Sequence, residues 1–141
     1  GLKRPFEINK SGYSDLIEYT RSRIRMWTKE VKEYFNYTCA LSGSRSNIVV
    51  HHCRGFNILF EETMDMLEFP TYDYFEQYSD DELNMFIEKF LQLQAYYNEF
   101  VCITDSIHKL FHKEYGYGYN TEEQWKEFVQ KYNNGYYKNI A

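Results

Sequence analysis

Positive charge is scarce in this 141-residue chain: 16 Lys and Arg stand against 21 Asp and Glu, a formal net charge of −5. That balance excludes a protein that coats nucleic acid through bulk electrostatics, so any contact with a polyanion has to be local. Cysteine is scarce as well. The three present form no framework of paired spacings, which fits a reducing compartment and not a disulfide scaffold. No apolar run approaches the roughly 18 residues that cross a bilayer, and the first residues lack the apolar centre of a signal peptide. The expectation is a cytoplasmic protein with no membrane attachment. Proline occurs only twice while hydrophobic residues reach 43% and aromatics 20%, a composition that excludes wholesale disorder. The length predicts a single domain, residues 1–141, with a real core.

Helical periodicity is clearest in four places. Leu16, Ile17, Thr20, Ile24, Trp27, Val31, Tyr34 and Phe35 recur at helical spacing, which predicts one helix over 14–35 with Ser14 as N-cap. Its other side carries Arg21, Arg25, Lys29 and Lys32, with Arg23 nearby, either as a solvated face or as phosphate contacts. Ser79 with Glu82 forms a capping box for a helix to about Tyr97. Thr104 or Asp105 can cap a helix that stops near Gly116, and Thr121 with Gln124 opens a final helix over about 121–132. Between the first two helices, "YTCAL" and "NIVVHH" are β-prone runs joined by "SGSRS", which predicts a β-hairpin; "FVCIT" at 100–104 predicts a third strand. The stretch 53–97 reads as an insertion, helical in part, with a loop around Pro70.

The chain has only four histidines, and they fall into two pairs. His51 and His52 end a β-branched run, where alternation sends adjacent side chains to opposite faces. His108 and His112 stand at i and i+4 on a predicted helix, one turn apart on one face, so they can share an ion. Three imidazoles leave a metal with open positions, as in catalytic sites, and the fourth is free to act as a base.

A hairpin ending in "HH", an asparagine, then a strand and a helix with "H-x-x-x-H" resembles the HNH endonucleases of the ββα-metal, or His-Me finger, class. "RMWTKEVKEYFNYTCALSG" is similar to the Trp-x-x-x-Val helix and hairpin of many phage-type members, and "IHKLFHKEYGYGYNTEEQWKEF" to their ending. The resemblance spans about residues 20 to 132. It implies an α+β fold: a ββα-metal core at about 37–52 and 98–116, surrounded by further helices. It also implies a DNA endonuclease that hydrolyses phosphodiesters with one divalent ion, Zn, Ni, Mn or Mg, held by His51, His108 and His112. His52 matches the general base, and Asn98, or its rival Asn57, the motif asparagine that holds the base in orientation. Arg54, Arg45, Arg21, Arg25, Lys29 and Lys32, with Lys3 and Arg4, are the expected nucleic-acid contacts. DNA is the expected partner, with a homodimer or an additional recognition domain supplying further contacts. The chain departs from zinc-knuckle members at Ser42, where a second cysteine would follow Cys39. Two other classes stay open: a non-catalytic metal-binding interaction module, and a nuclease toxin domain.

Overall fold

The computed structural model describes residues 11–138. It is a mixed α+β structure whose contacts group the chain into two compact units where length alone suggests one: residues 11–25 with 57–98, and residues 26–56 with 99–138. Among the described residues no helix is long and apolar enough to cross a membrane.

The first unit is helical. Helix α1 (Ser11–Arg23) buries Tyr13, Leu16 and Thr20, α3 (Phe56–Leu67) lies almost wholly within this unit, and α4 (Asp80–Tyr97) buries Leu83, Phe86, Ile87, Phe90 and Leu93. Phe86 is the hub, with ring centroids 5.1 Å from Phe60 and 4.9 Å from Phe69. Gly12 has to be glycine: a Cβ there would lie 2.2 Å from the Tyr72 carbonyl oxygen, and its N–H donates to the Asp73 carbonyl. Helix α4 opens with the expected reciprocal cap, Ser79 and Glu82 each accepting from the other's backbone N–H. It closes at Asn98, which is left-handed at φ 52°.

The second unit carries the sheet. Strand β1 (Ile48–His52) pairs antiparallel with β2 (Phe100–Thr104), placing His51 opposite Val101 and His52 opposite Phe100. Helix α5 (Asp105–Tyr115) starts with no intervening loop: Thr104 ends the strand and caps the helix by accepting from the Ile107 N–H. Helices α2 (Arg25–Tyr34) and α6 (Glu122–Asn133) complete this unit. Val31, Ile48, Cys53, Cys102, Ile103, Phe111, Trp125 and Phe128 are packed in one core, and the three cysteines are free and buried.

Two expectations are corrected. The long first helix is interrupted at Ile24, so α1 and α2 belong to different units. The hairpin from "YTCAL" to "NIVVHH" does not form. Asn36 and Tyr37 take positive φ (55° and 50°), and the chain curls tightly on Cys39, whose N–H donates to Ser44 and whose carbonyl accepts from Gly43. Only Ala40 reaches the sheet, through one bond to the Cys102 carbonyl. β1 finds its partner in β2 instead.

Candidate metal centre

A strand end and a helix face supply the site. Strand alternation turns His51 inward, where it is fully buried between Phe111 and Trp125, ring centroids 4.5 and 4.9 Å away. The i,i+4 spacing on α5 brings His108 and His112 to the same place, with ring centroids 5.2 and 5.4 Å from His51. One nitrogen from each of the three lies within 4.8 Å of the others, a group that could hold a metal ion.

Hydrogen bonding says which nitrogens are available. His112 Nδ1 lies 2.6 Å from the Gly116 carbonyl oxygen, which can only accept, so Nδ1 carries the proton and Nε2 presents its lone pair. That is the arrangement by which a backbone carbonyl orients a metal-ligating imidazole. His112 Nε2 is 2.9 Å from His108 Nε2, close to the roughly 3.3 Å that two nitrogens on one tetrahedral zinc would show. Both ring nitrogens of His51 are buried with no partner. An unsatisfied buried polar group costs about 1–3 kcal/mol, and one His51 nitrogen lies close enough to one from each of His108 and His112 for the three to share an ion.

The electrostatics agree with that reading. Burial, then repulsion from His108, His112 and His52, pushes His51 down to about 2 from an ordinary value near 6.5. Burial and His112 push His108 down to about 4, with Asp105 opposing. Burial lowers His112 too, against the bond to Gly116. All three are neutral at physiological pH, the state a cation needs.

His52 occupies the opposite face of β1, half-buried, stacked on Trp27 at 5.4 Å with an interplanar angle of 28°. It is near enough for its charge to act on both His51 and His108. Its backbone is clamped by a residue that sequence reasoning missed. Asn120, 2% exposed, donates from Nδ2 to the His52 carbonyl at 2.9 Å and accepts on its own carbonyl from the Gly55 N–H at 2.9 Å. Gly55 permits the approach, since a Cβ would meet the Gly118 carbonyl oxygen at 2.3 Å. Of the two asparagines expected to brace the base, Asn98 ends α4 and Asn57 sits in the first turn of α3. Asn120 stands within the quoted "YNT" ending, but its partner is 68 residues away, and nothing local announces it.

The expected basic contacts divide between the units: Arg21 and Arg25 fall in the helical unit, Lys29, Lys32, Arg45 and Arg54 in the other. Arg45 is occupied in bracing the turn through the Asn36 carbonyl and side chain, and Arg54 pairs with Glu99 at 3.3 Å. Arg23 lies over the Tyr19 ring. Lys3 and Arg4 lie outside the described residues.

The chain matches no family model, no curated protein and no solved structure.

Proposed function

We propose that this chain is a metal-dependent DNA endonuclease with a ββα-metal core formed by β1, β2 and α5. The observation that carries the reading is the buried His51, its nitrogens without a hydrogen-bond partner and one of them grouped with one from each of His108 and His112, while its neighbour His52 is not a member of that group. A purely structural site has no use for the fourth histidine.

The donor set fits a divalent ion that accepts imidazole, which favours Zn, Ni or Mn over Mg. The chemistry such an ion supplies when bound is Lewis-acid stabilisation of negative charge on phosphate oxygens. The chain's own residues do the rest. His52 takes a proton from the attacking water as the phosphodiester is opened in line. Asn120 fixes the backbone from which His52 projects, and Trp27 backs its ring, so the imidazole keeps one orientation. Phe111 and Trp125 wall the ligands off from water on the core side.

Incubating supercoiled plasmid with the protein and Mn, Ni, Zn or Mg in turn tests this. Nicking that is abolished by chelator and by His52→Ala supports the nuclease. Tight metal binding with no nicking under any of these ions supports the interaction module instead.

A further inference from the structure

In the run Tyr115-Gly116-Tyr117-Gly118-Tyr119 the first tyrosine turns toward the core: its ring lies 4.9 Å from Phe111 and its hydroxyl donates to Glu127. Tyr117 does something different. Its ring lies parallel to the His112 imidazole at 4.3 Å and 12°, and the residue remains 70% exposed. One face rests on a member of the ligand group and the residue is otherwise largely open to solvent.

The ring is held in place without being covered. Gly116 ends α5 at φ 83° and its carbonyl accepts from His112, so the residue that orients the ligand also launches the loop. Gly118 is left-handed at φ 85°, and its carbonyl is pressed against Gly55 with no room for a Cβ. Asn120 then ties the end of the loop to the segment after β1. A loop fixed at both ends, presenting a flat ring beside the candidate site, is preorganised for a flat ligand.

We infer that Tyr117 is a stacking platform for an unpaired nucleobase, and that single-stranded or locally opened DNA is therefore the favoured substrate. The inference rests on the nuclease reading above. In a duplex each base is covered on both faces by its neighbours, so a fixed aromatic ring can stack only on a base that has left the helix or was never paired. Such stacking is tolerant of sequence, because every base has a π-face.

The test measures binding as well as cleavage. Fluorescence anisotropy compares a labelled single-stranded oligonucleotide with its duplex on Ni-loaded wild type, Tyr117→Ala and Tyr117→Phe, with metal content read by elemental analysis. Tyr117→Ala is expected to weaken single-strand binding about tenfold, the usual scale for losing one stacked base. It should leave duplex binding and metal content unchanged, and Tyr117→Phe should behave as wild type. Equal losses on both forms, no loss at all, or a fall in metal content would overturn the inference, the last because it would make the ring a shield for His112. A wild type that binds single strands through Tyr117 yet nicks nothing keeps the platform and overturns the nuclease reading. Nicking by a wild type whose Tyr117→Ala variant binds single strands as tightly does the reverse.

Discussion

At the scale of single residues, His51 is a polar ring set fully inside an aromatic core. Burying an imidazole with two unpaired nitrogens is destabilising, and the cost depends on pH in a defined direction. In the unfolded chain His51 and His108 bind protons near 6.5; in the folded protein they do so only at about 2 and about 4. Below 6.5 the unfolded state therefore holds more protons, and stability falls as pH drops. Thermal melts of metal-free protein should be flat above pH 7 and decline from about 6.5 downward, with a shallower decline in His51→Gln. A melting temperature that rises on acidification over that range would contradict the assigned shifts. If the three histidines hold a metal, the same displacement should keep it bound through pH 6, with release at lower pH than ordinary histidines would give. Asn120→Ala removes the donor to the His52 carbonyl and should cost about 1–3 kcal/mol by denaturant unfolding. As a positioning residue it should also slow nicking while leaving metal content intact, a combination that a merely structural role would not give.

Elements reveal what local pattern can and cannot specify. The helices over 80–97, 105–115 and 122–133 were legible because their caps are written within four residues: Ser79 with Glu82, Thr104 before Ile107, Thr121 with Gln124. Thr104→Val should lose about 1 kcal/mol, since it removes the hydroxyl that accepts from the Ile107 N–H at the strand-to-helix junction. Strand pairing is written elsewhere. β1 was legible as a strand, but its partner lies across an intervening helical segment and not in the adjacent β-prone run. "YTCAL" has strand composition, yet left-handed Asn36 and Tyr37 bend the chain before a strand can start. Helix α3 was legible only as part of an insertion expected to be helical in part, without bounds of its own: Ile58, Leu59, Phe60, Thr63 and Met64 come with no cap signal and no polar stripe clear enough to set a period. The pairing of His108 with His112 was legible from spacing, and the addition of His51 from the resemblance; the clamp by Asn120 was not, because it is a contact of tertiary structure alone.

For the whole molecule, charge distributes by unit. The segments 11–25 and 57–98 carry 4 Lys and Arg against 12 Asp and Glu, whereas 26–56 and 99–138 carry 9 against 8. The acidic balance therefore belongs to the helical unit, and the unit with the histidines is nearly neutral. With Arg45 and Arg54 engaged internally, Lys29 and Lys32 are the basic side chains left on α2 for phosphate contact in that unit. If Lys29 contacts a phosphate, Lys29→Ala should reduce the slope of log affinity for B-DNA against log salt by about 1 and leave it unchanged otherwise.

The most direct test of the metal centre is a titration with Co(II), followed by its visible absorption and by elemental analysis, on wild type, His51→Ala, His108→Ala and His52→Ala. The account predicts one tightly held equivalent in wild type and in His52→Ala, and loss of that equivalent when either His51 or His108 is removed. Wild type that takes up no cobalt, or uptake that survives removal of His51 and of His108, would contradict it.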